Sequence, residues 1–543
     1  MPLTELLVAA CETYADRVAV VHEDTEYTYA QLDAASAGIA AALAGRGVTP
    51  GAYVGVLAGR GWWRCAAVLG VWRAGAAVVA LDPGLPTERL VRITDAADVR
   101  LTLTDASVSV DLGPGGTTLG IGTLGVTSEG GVPGRGGPGS VADAGPARAG
   151  SVPGVGEPLG RSGPGASVEP VPDRSGPVAY AVATSGSTGT PKCVAVPPVV
   201  LEGLAGWHLD GWERGEVPRT LHAASVGFDV GFQELAAAWA AGAALVVVDD
   251  VTRRDPFLLA AALERYGIAR AFLPVASLHA LAVAVPVTGH RLPALREVVV
   301  AGERLVVNDE VRALFAGLDA TLVNQYGPSE THVVTEYRLP PDPAGWPAHP
   351  PLGGSVADAG LLRLRDGVLG PFTEGEEAEL VVTGRCLATG YLGDERLTGE
   401  RFPELPYVDG GTRRGYLTGD LVRSEDGLLH FVGRIDDQLK VRGYRVEPGE
   451  VEAVLSRVPG VRRAAVVGLG SDRTTALQAY VVPAGDDQTA PDVAALRTAC
   501  AAALPDYMIP ARFVLVPELP LTANGKLARR ELPHTVATGG PRA

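Results

Sequence analysis

The sequence predicts an α/β protein built on parallel, doubly wound sheets. Short apolar runs alternate with helical patterns over the first hundred residues, and the alternation resumes beyond residue 192. At 543 residues, 46% of them apolar, the chain is too long for one core and long enough for at least two domains. A glycine- and hydroxyl-rich stretch, TSGSTGTPK at 184–192, is bracketed by two apolar runs that read as strands, Val178 to Ala183 and Cys193 to Val196.

Taken in order, Thr28-Tyr29-Ala30-Gln31 has the spacing of a capping box and opens an amphipathic helix running to about Gly45. Tyr53 to Ala58 reads as a strand, and Trp62 to Ala74 as a helix ended by Gly75. Ala77 to Leu81 is a strand stopped by Asp82-Pro83, and Val99 to Thr104 is another. Residues 106–177 repeat GPGG, GRGGPG and GRSGPG, a low-complexity composition expected to form loop. Helices are expected near Gly231 and at Asp255-Pro256, where an N-cap is followed by proline at the first helical position. Strands are expected at 244–248, 271–273, 297–300 and 321–323. Residues 351–435 are rich in short strands and turns, and a small αβ unit follows Gly433. The expected domains are therefore 1–435, 436–533 and a tail at 534–543.

Composition excludes several function classes. No run of 18 uncharged apolar residues occurs and no basic, then apolar, segment opens the chain, so a soluble, cytoplasmic protein without membrane contact is expected. Five cysteines without CxxC spacing read as reduced thiols, and the nine histidines are dispersed. A formal charge of −16 argues against nucleic acid, whose phosphates need a basic face. Of 46 basic side chains only Lys192, Lys440 and Lys526 are lysines, each in a glycine-containing motif. A compact ammonium and a planar guanidinium are not equivalent at a phosphate or a reacting carboxylate, so these three are expected to be functional.

The 184–192 stretch has the chemistry of a phosphate cradle. Gly186 and Gly189 let backbone N–H groups approach an anion, Thr184, Ser185, Ser187, Thr188 and Thr190 add hydroxyls, and Lys192 adds a point charge. It is not a Walker loop, because Gly189 is followed by Thr-Pro-Lys.

Seven further stretches occur in a fixed order: WRAGAAVVALD (72–82), FDVGFQEL (228–235), NQYGPSE (324–330), YLTGDL (416–421), GRIDDQLKVRGYRVEPGEVE (433–452), LPDYMIP (504–510) and NGKLAR (524–529). Together with the loop they resemble the core motifs of the adenylate-forming superfamily, in particular the amino-acid-activating adenylation domains of nonribosomal peptide synthesis. The resemblance implies a large N-terminal domain with two doubly wound sheets and a short-stranded β subdomain, followed by a small mobile α+β domain. It also implies ATP and Mg²⁺ as cofactors, an acyl-adenylate intermediate, and transfer to the phosphopantetheine thiol of a separate carrier protein. It leaves room for a small activating partner protein.

The residue roles implied by the resemblance follow from position in these motifs. The loop would hold the β and γ phosphates, and Glu330 would bind Mg²⁺. Tyr326 would face adenine, with Asn324, Gly302 and Gly327 beside it. Asp420 would hold the ribose hydroxyls and Arg434 would support ribose and phosphate. Lys526 would bridge the substrate carboxylate and α-phosphate, Lys440 would serve the thiol half-reaction, and Asp436 would be the hinge. Cys193 departs from the pattern, standing where glycine is usual after the loop lysine.

By the same alignment the substrate pocket comprises Asp229, Val230, Gln233, Phe272, Val299, Ala301, Gln325, Val333 and Val334. Asp229 supplies the counter-charge that a buried α-amino group needs. The rest are uncharged, and the set resembles pockets that activate proline, departing at Gln325 where histidine is common. L-Proline, pipecolate or a substituted proline is the substrate this implies. If the sequence is the whole gene product, a free-standing enzyme is expected. The alternatives are an acyl- or aryl-CoA ligase of the same fold, against which Asp229 speaks, and a catalytically inactive interaction module.

Overall fold

The computed structural model describes residues 1–106, 108, 110, 112, 117–124, 176–186, 191–210, 218–225, 227–441, 443–469, 476–484, 491–520 and 527–532. The chain forms two compact units. The first comprises Met1–Pro83, Ile93–Ala183 and Cys193–Ile435; the second comprises Gly84–Arg92, Thr184–Lys192 and Asp436–Ala543. Two segments of the expected large domain, 84–92 and 184–192, thus pack with the C-terminal residues.

In the first unit a nine-stranded sheet has six parallel central strands, in the order Thr321–Tyr326, Glu297–Ala301, Arg270–Pro274, Thr220–His222, Leu245–Val247 and Val18–His22. Antiparallel strands flank them on both sides. Side chains alternate across the pleat, so Val20, Leu245 and Val247 join one core while Val21, Val246 and Val248 join another. The first of these cores also takes in residues of the helices Leu3–Thr13, Tyr29–Ala44, Trp62–Arg73, Pro198–Asp210 and Asp229–Ala240, together with Val54 and Val78 of a seven-stranded sheet. Helices Pro256–Arg265, Val275–Thr288 and Asp309–Ala316 line the other core. The nine-stranded sheet is therefore buried on both faces, which is why strands such as Val18–His22, Leu245–Val247 and Glu297–Ala301 carry apolar residues at successive positions instead of alternating with polar ones. The region beyond residue 351 forms a third, antiparallel sheet around the long strand Thr412–Glu425.

Local signals in the sequence have direct counterparts. Thr28 Oγ1 accepts from Gln31 N–H at 3.2 Å, and Gln31 Oε1 accepts from Thr28 N–H at 2.7 Å. Asp255 Oδ1 accepts from the N–H groups of Phe257 and Leu258, with Pro256 at the first helical position. Each such cap contributes about 1 kcal/mol.

One expectation is corrected. Residues 106–177 are not loop throughout: Thr117–Gly120 is a strand pairing in parallel with Leu101–Thr104, followed by a 3₁₀ turn at Ile121–Leu124. Ile121 is fully buried, and one buried isoleucine beside two β-branched threonines suffices to hold a short edge strand in a glycine-rich context. The helix expected near Gly231 begins at Asp229, whose carboxylate is favoured in a first helical turn.

The second unit contains a three-stranded sheet, Val461–Leu469, Ala476–Pro483 and Arg512–Leu515. Helices Pro448–Leu455 and Val493–Ala503 contribute Val451, Leu455 and Leu496 to a core with Val466 and Met508. Among the described residues no helix is long and apolar enough to cross a membrane. All five cysteines are free and buried, and Cys193 packs in the strand Lys192–Val196.

Candidate active site

The parallel strands of the nine-stranded sheet bring several of the residues expected to line a substrate pocket to one place. Phe272 lies opposite Val299, and Val299 opposite Val323, in register across three neighbouring strands. These three form one apolar cluster against which Val230 packs. Ala301 and Gln325 stand at the carboxyl ends of their strands, the end where parallel sheets bind ligands. Asp229 and Gln233 sit one turn apart on the same helix, so both face the same side. Asp229 is 8% exposed.

His332 orients the start of that helix. Its Nδ1 accepts from Val333 N–H at 2.9 Å, so the proton resides on Nε2, which donates to the Asp229 carbonyl at 3.3 Å. Burial pushes the His332 imidazole below its ordinary pKa against the pull of Asp229. Gly327 allows this approach: a Cβ there would stand 1.6 Å from the His332 carbonyl oxygen. Val334 N–H donates to the Tyr326 carbonyl at 2.9 Å, tying the two ends of the motif together.

A chain of polar side chains links Gln325 and Gln233 to residues outside the motifs. Gln325 and Glu336 are opposed across the antiparallel pair Thr321–Tyr326 and Thr335–Arg338, and Gln325 Nε2 donates to Glu336 Oε2 at 2.9 Å. Trp207 Nε1 also donates to Glu336. Gln233 Nε2 lies 3.1 Å from Gln325 Oε1 and 2.8 Å from His208 Nε2. Burial, then Arg270, His332 and Arg338, hold His208 well below its ordinary pKa, so its ring is neutral. His208, His332 and Glu336 escape motif reading because they meet Gln233, Asp229 and Gln325 only through tertiary packing.

Asp420 is the centre of a second cluster. It accepts from the Tyr326 phenol at 2.5 Å and pairs with Arg434, which also donates to the Thr418 carbonyl at 3.1 Å. Burial and then the Asp420 carboxylate hold the Tyr326 phenol well above its ordinary pKa, so it stays a donor. Asn324 donates to the Pro351 carbonyl, and Gly302 follows its strand at φ 85°. Glu330 is fully buried and accepts from the Tyr391 phenol at 2.7 Å. Among the described residues no group of three or more His, Cys, Asp or Glu is placed to hold a metal.

Within the second unit the loop residues meet acidic partners. Ser185 Oγ donates to the Arg445 carbonyl and accepts from Glu447 N–H, while Gly186 N–H donates to Glu450 Oε2 at 3.1 Å. Lys192 Nζ pairs with Glu447 at 3.3 Å, and Arg89 forms a buried pair with Glu450 at 2.5 Å. Thr184 Oγ1 is buried without a hydrogen-bond partner among the described residues. Lys440 lies in the hairpin strand Leu439–Val441, and Asp436 Oδ1 accepts from Gln438 N–H. Ser187, Thr188, Gly189 and Lys526 lie outside the described residues.

A family profile described as AMP-binding enzyme matches residues 7–392, and one described as AMP-binding enzyme C-terminal domain matches residues 450–526. The chain belongs to the AMP-binding enzyme family. It is similar to surfactin synthase subunit 2 of Bacillus subtilis, 34% identical over 98% of this chain and 13% of that protein. The chain thus spans about an eighth of that relative's length. Among solved structures, the amide bond synthetase McbA of Marinactinospora thermotolerans is 27% identical with a TM-score of 0.76, covering 98% of both chains. The four-domain nonribosomal peptide synthetase AB3403, solved bound to AMP and glycine, is 26% identical with a TM-score of 0.65, covering all of this chain and 37% of that one. As an AMP-binding enzyme the chain is an adenylate-forming ligase of mixed α/β fold, with homologues among the nonribosomal peptide synthetases.

Proposed function

We propose that this AMP-binding enzyme activates a small neutral α-amino acid, proline or a close cyclic analogue, and passes it to the phosphopantetheine thiol of a carrier protein. The observation that carries the amino-acid reading is Asp229, a buried carboxylate whose Oδ1 accepts from the N–H of Val230, the residue that packs on the uncharged cluster of Phe272, Val299 and Val323. A carboxylate in such a place is stable when it meets a cation, and an α-ammonium is the cation every such substrate carries.

In the first half-reaction a substrate carboxylate oxygen attacks the α-phosphorus of ATP. The bond to the bridging oxygen breaks, pyrophosphate leaves and an aminoacyl-AMP remains. Ser185, Gly186 and Lys192, with Ser187, Thr188 and Gly189, would hold the departing phosphates. Tyr326, Asn324 and Gly302 would hold adenine. Asp420 with Arg434 would hold the ribose, and Lys526 would neutralise charge developing between carboxylate and α-phosphate. Glu330 fits Mg²⁺, being a buried hard-oxygen donor of the kind that ion takes alongside phosphates; the ion would lend charge to the phosphate oxygens. In the second half-reaction a thiolate sulfur attacks the acyl carbon, AMP leaves, and Lys440 would replace Lys526 near the site by motion about Asp436.

Amino-acid-dependent ATP–pyrophosphate exchange across the twenty standard residues, pipecolate and hydroxyprolines tests the reading. Exchange with a small neutral amino acid supports it. Exchange with none, together with turnover of an aryl or fatty acid onto coenzyme A, overturns it.

A further inference from the structure

Three consecutive carbonyls at the end of the strand Thr220–His222 converge on one side chain. Arg60 lies in the turn between the strand Tyr53–Leu57 and the helix Trp62–Arg73. It donates from Nη1 to the His222 carbonyl at 3.2 Å, and from Nη2 to the Ala223 carbonyl at 3.1 Å and to the Ala224 carbonyl. Its Nε donates to Asp250, which balances a guanidinium side chain only 5% exposed. The same segment is held through its N–H and its imidazole by Glu234. This fully buried carboxylate accepts from Ala224 N–H at 3.1 Å, and its other oxygen stands 2.5 Å from His222 Nδ1, which donates to it. Ser225 Oγ then donates to Asp82 at 3.1 Å, and the Ser225 carbonyl accepts from Phe228 N–H at 3.0 Å, one residue before Asp229. Neither Arg60 nor Glu234 has a part in the half-reactions set out above.

We propose that Arg60 and Glu234 are positioning residues for amino-acid recognition, clamping residues 222–225 and through them setting where Asp229 stands. This rests on the amino-acid reading above and deepens it. One planar guanidinium spread over three backbone acceptors fixes a segment that has left the sheet, which a single ammonium on a flexible stem does not do. Glu234 belongs to the helix Asp229–Ala240, so the residue that grips the strand end and the residue that meets the substrate ammonium ride on one rigid element. His332 holds the Asp229 carbonyl, and the clamp holds the chain that leads into it. A misplacement of about 1 Å at a positioned group costs about a hundredfold, so loosening the clamp weakens recognition of the amino acid without touching the nucleotide.

The test is pyrophosphate exchange by wild type, Arg60→Met, Glu234→Leu and Glu234→Gln, with the amino acid that supports most exchange in the panel above. Arg60→Met keeps the stem and removes the donors, and Glu234→Leu removes both acceptors. Glu234→Gln keeps an oxygen for Ala224 N–H and turns an N–H toward His222. The expected result is that Arg60→Met and Glu234→Leu lower kcat/KM for the amino acid by about tenfold or more, while KM for ATP stays within about threefold. Glu234→Gln should exceed Glu234→Leu in that kcat/KM by about threefold or more, because the clamp acts through hydrogen bonds. An amino-acid kcat/KM within about threefold of wild type in Arg60→Met, or equal losses toward amino acid and ATP, overturns the inference and leaves amino-acid activation standing. Exchange with no amino acid by wild type overturns both. Should Arg60→Met fail to fold, Arg60→Lys, which keeps the charge and gives up the planar fork, decides by the same criterion.

Discussion

The phenol of Tyr326 donates to Asp420 at 2.5 Å while Arg434 holds the other carboxylate oxygen. Both oxygens of the proposed ribose ligand are thereby aimed before nucleotide arrives. Tyr326→Phe keeps the ring face and deletes one charge-assisted bond. It should lower stability by about 1.5–3 kcal/mol and raise the KM for ATP with kcat nearly unchanged, as loss of uniform binding does. Denaturant unfolding and exchange kinetics at varied ATP check this; a fall in kcat with KM unchanged would assign Tyr326 to the chemistry instead.

Asp229→Ala should abolish amino-acid-dependent exchange and leave ATP affinity within about threefold. Stranding a buried ammonium costs about 3–5 kcal/mol, a hundredfold or more. Exchange assays beside calorimetry with ATP separate the two effects, and near wild-type exchange would remove Asp229 from its role.

His208 makes stability depend on pH. Held neutral by burial and neighbouring cations, it takes up a proton on unfolding wherever the pH lies below the ordinary histidine pKa of about 6.5 and above its depressed folded value. The unfolded state then binds more protons, so its contribution is complete above about pH 6.5 and is lost as pH falls. The slope is up to about 1.4 kcal/mol per pH unit. Thermal unfolding from pH 7.5 to 5.5 should show wild type losing more Tm than His208→Gln. Parallel curves for the two proteins would contradict it.

The strand Thr117–Gly120 separates two deletions. Removing residues 128–172 spares that strand; a change in loop length costs roughly 0.6 kcal/mol per doubling, and Tm and exchange should stay nearly unaltered. Removing 113–167 also takes away buried Ile121 and its strand, at a cost of about 2 kcal/mol or more. Equal Tm values for the two deletions would show that the strand contributes nothing.

Lys526 and Lys440 are expected to serve different half-reactions. Lys526→Ala should lose on the order of a hundredfold in exchange, as removal of one transition-state charge partner does. Lys440→Ala should retain exchange and slow only transfer of the aminoacyl group to the carrier thiol. Measuring both steps in both variants decides it, and equal loss of exchange would sink the division of labour.

Much of this was legible before the coordinates, for definite reasons. Caps at Thr28 and Asp255 act within four residues, so their letters suffice. Motif order singled out Asp229, Asp420 and Tyr326, and the structure buries all three. The strand at 117–120 was not, because its support is Ile121 packing into a core assembled elsewhere. Nor was the Glu336–Gln325–Gln233–His208 chain, whose members span 128 positions and meet only through sheet register and helix packing.

Ser185, Gly186 and Lys192 commit an O–H, an N–H and an ammonium to Arg445, Glu450 and Glu447. Carboxylates are phosphate's rivals for such donors, and reciprocity requires each rival to weaken the other equally. A triphosphate held at the loop as proposed would therefore have to displace Glu447 and Glu450 from Lys192 and Gly186.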